Sequence, residues 1–330
     1  MKWLFLFSIL SFSCNSQVIN QPVEKERLTL ISKINLRGVK GRIDHIAYDS
    51  ANHLAFVAAL GNNTVELVNI NTMQIVHTIT GLHEPQGIAY IPSSKRIIIA
   101  NGDDGNCGFF DAATFKQTGN IDLKSDADNI RYDSLSHLLY VGYGNGAIAI
   151  IDINTLKDVG DIKLDGHPES FQFSKKLNRI YINVPDANEI EVAELSTNKV
   201  IAKWKNSNAS SNFPMAMDEK NDRLFIGCRN LAKLRMIKME TGKDISTVDC
   251  SGDADDVFFY APDNLVFVSA GKGFIDIFRA NEKEVVQINH IKTSNGARTS
   301  LLLTAEKKFL LAVPARGGDP AALWVYRVTD

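Results

Sequence analysis

The sequence predicts an all-β protein, a seven-bladed β-propeller with four-stranded blades, and three observations lead to this prediction. A short apolar segment recurs seven times at intervals of 41 to 44 residues. Each repeat contains four short stretches in which apolar and polar residues alternate, with turn residues between them, as in a propeller blade. The last repeat lacks its fourth strand, whereas one extra strand precedes the first repeat.

The seven repeats follow one internal order. The segments that open them are residues 46–48, 88–90, 130–132, 171–173, 215–217, 257–259 and 301–303. A polar turn, a second strand and a Gly/Asn/Asp-rich loop follow, and then a third strand, a tight turn and a fourth strand. Helical periodicity is absent from this region, which favours a sheet in every repeat.

The ends of the repeat region predict how the ring closes. The seventh repeat supplies three strands before the chain stops at Asp330, and the spare strand covers residues 27–36. An open sheet edge invites pairing with other chains, so a closed ring is favoured. We therefore expect the N-terminal strand to complete the last blade, and we expect a monomer.

Composition excludes several classes of protein. The 330 residues are 45% hydrophobic and 22% charged, as in a globular protein. A net charge of −2 without a long basic run argues against a nucleic-acid partner. No apolar run reaches the roughly 18 residues that a membrane-spanning helix needs.

The N-terminus predicts export. Lys2 precedes an apolar stretch over residues 3–12, and Ser13 and Cys14 follow it, which is the pattern of a secretory signal. A Cys at this junction resembles a bacterial lipoprotein signal, in which the Cys is lipidated, although Leu10 lies four places before Cys14 rather than three. Ordinary cleavage that discards Cys14 is the alternative.

These features divide the chain into three parts. We expect a signal peptide over residues 1–14, a polar tether over residues 15–26 and the propeller over residues 27–330. The protein would be in the periplasm or on the cell surface, and it would contact a membrane only through its lipid anchor.

Several repeats resemble those of YVTN-type (YncE-like) propellers. The resemblance is carried by residues 56–68 (FVAALGNNTVELV), 139–146 (LYVGYGNG) and 151–155 (IDINT), and it extends over about residues 27–330. It implies a seven-bladed propeller that is commonly exported. Related propellers include binding proteins, lactonases and lyases, so the resemblance does not select a function.

Functional residues are expected on one face of the ring, the mouth face. It carries the loops that lead into first strands and those between second and third strands, and these loops differ from blade to blade, whereas the opposite face repeats similar turns. The candidate ligand-binding residues are Asp44, His45, Asp128, Asn129, His167, Glu169, Arg229, Asp255, Asp256, Arg298 and Arg316.

Each candidate has a functional and a structural interpretation. His167 and Glu169 can bind a metal or share a proton, or they can form a strand-entry turn. Asp253, Asp255 and Asp256 are suited to an oxygen-ligated cation, but Asp is also frequent in turns. Arg298 suits a carboxylate or phosphate, or it pairs with nearby acids.

Two functions remain open from the sequence. The first is a binding module for a small anionic or sugar-like ligand, or for an envelope protein. The second is a lactonase- or lyase-type enzyme in which channel acids and His hold a divalent metal and supply a general base. The motifs GxSxG, HExxH and GxxxxGK are absent from the sequence.

Overall fold

Seven antiparallel four-stranded sheets form the protein in the computed structural model, which describes residues 24–329. The strands are β1 (Leu28–Asn35), β2 (Ile46–Asp49), β3 (Leu54–Ala59), β4 (Thr64–Asn69), β5 (Gln74–Ile79), β6 (Pro85–Ile91), β7 (Arg96–Asn101), β8 (Asn106–Asp111), β9 (Gln117–Asp122), β10 (Ala127–Asp133), β11 (Leu138–Tyr143), β12 (Ala147–Asp152), β13 (Lys157–Lys163) and β14 (Phe171–Ser174). They continue as β15 (Arg179–Val184), β16 (Glu189–Glu194), β17 (Lys199–Lys205), β18 (Ser210–Asp218), β19 (Arg223–Asn230), β20 (Lys233–Lys238), β21 (Asp244–Asp249), β22 (Ala254–Tyr260), β23 (Leu265–Ala270), β24 (Phe274–Ala280), β25 (Val285–Lys292), β26 (Ser300–Leu303), β27 (Lys308–Val313) and β28 (Ala322–Val328). Short 3₁₀ turns lie at Leu60–Asn62, Glu219–Asn221 and Ala261–Asp263.

The blades form a closed ring. Blades 1 to 6 each contain four consecutive strands, starting with β2, β6, β10, β14, β18 and β22. The first strand of every blade contacts the first strands of the blades on either side, including β26 with β2. First strands therefore surround the central channel, and the prediction of a seven-bladed propeller is confirmed.

Blade 7 is completed by the N-terminal strand. β1 pairs antiparallel with β28 from Leu28↔Val328 to Asn35↔Ala322, giving the sheet order β1-β28-β27-β26. This confirms the predicted closure. The register of this pair shifts between Leu30 and Ser32, so one residue of β1 has no partner on β28.

The shift in β1 lets one strand seal two blade interfaces. Leu28 and Ile34 would share a face of a regular strand, because side chains alternate with a period of two. The extra residue reverses this alternation. Leu28 consequently packs into the core between blades 6 and 7, and Ile34 packs into the core between blades 7 and 1.

Hydrophobic packing lies between the blades. Seven buried clusters occupy the seven interfaces within residues 24–329, and each draws side chains from two adjacent blades. The second and third strands place apolar side chains on both faces of every blade. The ring therefore holds its loops in fixed relative positions.

Every fourth strand carries a register shift at the equivalent place. The residues without a partner are all β-branched, namely Ile31, Val76, Thr118, Val159, Ile201, Ile245 and Ile288. A bulge twists an outer strand and makes it a poorer template for another chain. The bulges thus protect the outer edges of the blades.

The predicted signal peptide, with Cys14, and most of the predicted tether lie outside the described residues. Within residues 24–329, no helix is both long enough and apolar enough to cross a membrane. Cys107 and Cys228 are buried, Cys250 is half-buried, and all three thiols are free.

Closure by β1 predicts a difference between two leucines of that strand. Leu28 is 1% exposed and Leu30 is 41% exposed. We expect Leu28→Ala to lower the free energy of unfolding by about 2–5 kcal/mol because it leaves a cavity between blades 6 and 7. Leu30→Ala, the matched control, should cost less than about 1 kcal/mol. Denaturant unfolding measures both, and equal losses would contradict this role of β1.

Candidate functional site

The mouth face brings charged and polar side chains from six blades together around the channel. Blade 1 provides Arg42, Asp44 and His45, blade 3 provides Asp126, Asp128, Asn129 and Arg131, blade 4 provides His167 and Glu169, blade 5 provides Arg229, blade 6 provides Asp253, Asp255 and Asp256, and blade 7 provides Arg298. We call this set the mouth cluster. It contains seven carboxyl groups but only four guanidinium groups.

Two kinds of local structure position these side chains. In blades 3 and 6 the first strand is seven residues long, and its register shifts between Ala127 and Ile130 and between Ala254 and Asp256. Such a bulge redirects side chains at the end of a strand. In blades 1 and 4 the first strand has only four residues, and the functional side chains lie just before it.

A glycine of blade 2 allows blade 3 to approach closely. A Cβ atom on Gly87 would lie 2.0 Å from the backbone oxygen of Asp128. No side chain fits in that space, so the glycine sets the position of the Asp128 backbone. Gln86 in the same strand donates to Asp126 Oδ1 at 3.0 Å.

Asp128 lies between two imidazoles. His45 Nε2 is 3.8 Å from Asp128 Oδ1, and His167 Nε2 is 3.9 Å from Asp128 Oδ2. Asp44 Oδ1 is also 3.8 Å from His45 Nε2, and Arg42 Nη2 donates to Asp44 Oδ2 at 2.6 Å. Residues of blades 1, 3 and 4 thus form one continuous polar chain.

The orientation of His167 is fixed by a backbone carbonyl. Its Nδ1 is 2.6 Å from Gly144 O, and a carbonyl oxygen only accepts, so Nδ1 carries a hydrogen and donates it. Nε2 therefore faces Asp128. A metal-ligating His is commonly oriented in this way, by a hydrogen bond from its other ring nitrogen.

The pKa values of His167, Glu169 and Asp128 differ from those of the same groups in water. Burial opposes the charged form of His167, but the nearby Asp128 carboxylate and the hydrogen bond to the Gly144 carbonyl outweigh burial and raise its pKa to about 9. Burial and the charges of Asp128 and Asp255 raise the pKa of Glu169 to about 8. Burial would raise the pKa of Asp128, yet the nearby imidazoles of His167 and His45 lower it.

The pKa values of Asp44 and His45 in blade 1 are also shifted. Burial raises the pKa of Asp44, and the charges of His45 and Arg42 oppose this rise. Burial would lower the pKa of His45, but Asp44, Asp256 and Asp128 together raise it. Perturbed acids and bases in a cleft are typical of a functional site.

Two arginines of the mouth cluster, Arg229 and Arg298, are already paired with carboxylates. Arg298 Nη1 contacts both carboxylate oxygens of Asp253 at 2.9 and 3.0 Å, and its Nε lies 2.9 Å from Asp255 Oδ2. Arg229 forms an ion pair with Asp255, and its guanidinium lies 3.5 Å from the centre of the Phe213 ring. These guanidinium groups are not available as an open anion site.

Asp256 and Arg131 lie further into the channel. They line a cavity of about 200 Å³ together with Ser170 and Gln172. Asp256 Oδ2 accepts from the Ser300 backbone N at 2.6 Å, and burial raises the pKa of this carboxyl to about 7. Burial lowers the pKa of Arg131, against the charges of Asp256 and Asp128.

Three side chains of the cluster can hold a metal ion. One ligand atom from each of Asp128, His167 and Glu169 lies within 4.8 Å of the others. Asp128 Oδ1 and Asn129 Oδ1 are buried and accept no hydrogen bond within the described part of the chain. Buried acceptors without donors are rare, and they fit a bound cation.

A larger groove opens beside the cluster, between blades 5 and 6. It has a volume of about 940 Å³ and includes Arg229 and Asp253 in its wall, together with Leu231, Cys250 and Lys272. Lys272 brings positive charge to this groove. The mouth cluster therefore continues into a space large enough for a small molecule.

The structure brings together every candidate residue except Arg316. Arg316 is exposed in the turn between β27 and β28, where its backbone pairs with Asp319. Arg42, Asp126 and Arg131 are not among the candidate residues predicted from the sequence. The signal for Arg131 was available: first strands of the other blades have an uncharged residue at its position.

No family model matches this chain. Its structure resembles a chain in a crystal structure of the mitotic checkpoint complex, with a TM-score of 0.75 at 12% sequence identity. The alignment covers 100% of this chain and 99% of that chain. In all, 1829 chains of solved structures match the fold, so the fold by itself does not select a function.

The pKa values of the cluster predict how stability depends on pH. Folding raises the pKa of Glu169 to about 8 and that of His167 to about 9. In the unfolded chain these groups titrate near about 4.3 and 6.5. Raised pKa values stabilise the folded state at low pH, and this contribution is lost as the pH rises through the folded values. We expect the free energy of unfolding to fall between about pH 5 and 9.

The variant Glu169→Gln isolates the contribution of Glu169 to the pH dependence of the free energy of unfolding. The decline between about pH 5 and 8 should become shallower in the variant, because an amide does not titrate, whereas Asp256, with a pKa of about 7, keeps its own contribution. The exposed Glu240→Gln is the matched control and should retain the full decline. Denaturant unfolding at several pH values measures both, and an unchanged pH dependence in Glu169→Gln would refute the assignment.

Proposed function

We propose that the mouth cluster binds a divalent cation through Asp128, His167 and Glu169, and that the cation anchors a small, oxygen-rich ligand. The observation that carries this proposal is the orientation of His167. Its Nδ1 donates to the Gly144 carbonyl, which leaves Nε2 facing a buried Asp128 whose Oδ1 has no hydrogen-bond donor.

The donor set indicates the type of ion. One imidazole nitrogen and two carboxylates suit Mn²⁺, Zn²⁺ or Fe²⁺ better than Ca²⁺, which prefers oxygen ligands. Three protein ligands leave further positions for water or a ligand. Asn129, which follows Asp128 in the chain, also has a buried Oδ1 without a donor in the described part of the chain.

The ligand class follows from the charges. Arg229 and Arg298 are paired with Asp253 and Asp255, and carboxyl groups outnumber guanidinium groups in the cluster. A free anion would meet repulsion there, whereas a sugar-like hydroxyl pair or a hydroxy acid can bind through the cation. The adjacent groove, which contains Lys272, provides space for the remainder of the ligand.

Metal binding by the variant Asp128→Asn tests the proposal. Chelator-treated wild-type protein should bind about one Mn²⁺ per chain in calorimetry. Asp128→Asn should weaken that affinity by at least about tenfold, because it removes a charged ligand and the partner of His167. Affinity should also increase from about pH 6 to 9, since His167 and Glu169 must lose protons to bind metal.

Asp319→Asn is the control, because Asp319 is exposed on the same face but outside the cluster. It should bind Mn²⁺ like the wild type. Failure of the wild type to bind Mn²⁺, Zn²⁺ or Fe²⁺ would reject the cation site. The mouth face would then be assigned to its other predicted ligand class, an envelope protein.

A metal-assisted lactonase or lyase is the second candidate function, and the position of His45 favours it. His45 lies outside the three-residue metal set, with Nε2 3.8 Å from both Asp44 and Asp128. A cation next to it would polarise a carbonyl, and the imidazolium could protonate a leaving oxygen. Turnover lost in His45→Gln while Mn²⁺ affinity is retained would establish the enzyme.

We also propose that the protein is an exported, lipid-anchored member of the YVTN-type propellers. The leader with Cys14 and the repeats over residues 56–68 and 139–155 support this. Glu24 pairs with Arg279, and Arg27 lies near Asp263 in the turn between β22 and β23. The chain thus reaches the propeller on the side opposite the mouth face, so an anchored protein would direct its mouth away from the membrane.

Cys14→Ala tests the anchor. Stable membrane attachment needs more than one acyl chain, as a mature bacterial lipoprotein carries. We expect the wild type in the membrane fraction and Cys14→Ala either released or unprocessed. Cys250→Ala controls for general loss of a thiol and should fractionate like the wild type. Equal membrane partition of Cys14→Ala after normal processing would reject lipidation.

A further inference from the structure

A second group of carboxyl side chains lies in blade 4, distinct from the metal set of the mouth cluster. It consists of Glu189 and Glu191 from the third strand of that blade and Asp165 from the loop that leads into β14. One oxygen from each of the three carboxyl groups lies within 4.8 Å of the others. We call this group the blade-4 cluster.

The two glutamates are fully buried, and their oxygens are incompletely satisfied. Both are 0% exposed. Glu191 Oε1 accepts from the Asp165 backbone N at 2.8 Å. Glu191 Oε2 and both carboxylate oxygens of Glu189 accept no hydrogen bond within residues 24–329. Leaving a buried carboxylate oxygen without a donor is costly, so a further partner is expected at this position.

Acidic residues at the strand position of Glu191 in two other blades are satisfied. Glu66 in blade 1 accepts from Thr64 Oγ1 at 2.7 Å and from Thr78 Oγ1 at 2.6 Å. Asp276 in blade 6 accepts from the Ser251 backbone N, from Gln287 and from His290. A buried acid at this position is therefore compatible with the fold, and the missing donors are particular to blade 4.

Two lysines of β17 partly neutralise the cluster from the solvent side. Lys205 is the cross-strand partner of Glu189, and Lys203 is that of Glu191. Lys205 Nζ is 3.0 Å from Glu189 Oε2, but the angles do not make this contact a hydrogen bond. Lys203 Nζ is 3.8 Å from Glu191 Oε2 and forms an ion pair with Asp165. The Lys205 side chain is 70% exposed, so its ammonium can move out into water.

We propose that the blade-4 cluster binds Ca²⁺. All three ligands are carboxylate oxygens, which Ca²⁺ prefers. Ligands of one ion lie at most two bond lengths apart, and Ca–O bonds of about 2.4 Å allow separations of up to about 4.8 Å. The ion would supply the partner that the unsatisfied oxygens of Glu189 and Glu191 lack, and it would displace the lysine ammonium groups toward solvent.

Binding at this site would also restrain a functional loop. Asp165 lies two residues before His167 and four before Glu169, and the loop is already joined to β16 by the hydrogen bond from the Asp165 backbone to Glu191. A Ca²⁺ ion shared by Asp165 and two buried strand residues would hold that loop against blade 4. The ion would thereby position side chains of the mouth cluster without touching a ligand bound there.

Calorimetric titration of chelator-treated protein with Ca²⁺ tests the proposal. Two variants with opposite expected effects on the Ca²⁺ affinity show whether binding occurs at the blade-4 cluster. Glu189→Gln removes a ligand and should weaken Ca²⁺ binding by about tenfold or more. Lys205→Met removes the competing ammonium and should strengthen it severalfold. Lys199→Met is the matched control, because Lys199 is an exposed cross-strand partner of Glu194 in the same strands, and it should leave the affinity unchanged.

The variant Glu169→Gln separates this site from the mouth cluster. It should weaken Mn²⁺ binding at the mouth and leave Ca²⁺ binding in blade 4 intact. Ca²⁺ binding that is lost in Glu169→Gln, or that is equal in wild type, Glu189→Gln and Lys205→Met, would overturn the proposal. Since Lys205 is exposed, Lys205→Met gives a result even if Glu189→Gln fails to fold.

Discussion

The pairing of β1 with β28 is the interaction on which the rest of the structure depends. It supplies the fourth strand of blade 7, and its register shift lets Leu28 pack toward blade 6 and Ile34 toward blade 1. One strand of eight residues thus seals two of the seven interfaces. The mouth cluster depends on this closure, because Arg298 comes from blade 7 and Asp44 from blade 1. The neighbouring Thr299 Oγ1 donates to the Ile43 carbonyl across the junction at 3.2 Å.

Ring geometry explains why so much charge gathers in one place. Loops that lead into the innermost strands converge, so residues far apart in sequence become neighbours around the channel. Burying like charges is unfavourable unless they are paired or protonated. The protein uses both solutions: Arg229 and Arg298 pair with Asp253 and Asp255, whereas Glu169 and Asp256 have raised pKa values. The remaining unsatisfied oxygen of Asp128 is where a cation gains most.

Much of the fold could be predicted from the sequence, because a repeat of about 42 residues with four alternating strands permits few architectures. Closure was predictable from the strand count. The bulges were not, since one added β-branched residue such as Val159 or Ile201 looks like ordinary strand sequence. The candidate site was predictable as a set of loops on one face, because those loops vary while the opposite turns do not.

The partners of individual side chains could not be predicted. The ion pair between Arg298 and Asp253 joins blades 7 and 6, and the hydrogen bond from His167 Nδ1 to the Gly144 carbonyl joins blades 4 and 3. Because each contact joins two blades, the sequence alone does not show it. The sequence did not predict Glu189 and Glu191 as site residues for another reason. Alternating acids in a strand usually indicate a solvent-facing side, yet here that side is covered by the loop containing Asp165. Arg316, which is exposed in the turn between β27 and β28 and pairs through its backbone with Asp319, stays a predicted site residue.

The closing strands also bring the two ends of the folded chain together. Thr329 N donates to the Arg27 carbonyl at 2.9 Å, and Thr329 Oγ1 donates to the Glu26 carbonyl, 303 positions away in sequence. A short linker could therefore join Val328 to Leu28 as a hairpin, and the chain could be opened at the exposed Gly38. In such a circular permutant, all seven blades would be built from contiguous sequence. The pairing of β1 with β28 would become a local contact, and closing the ring would then depend on the packing of blade 7 against blade 1 alone.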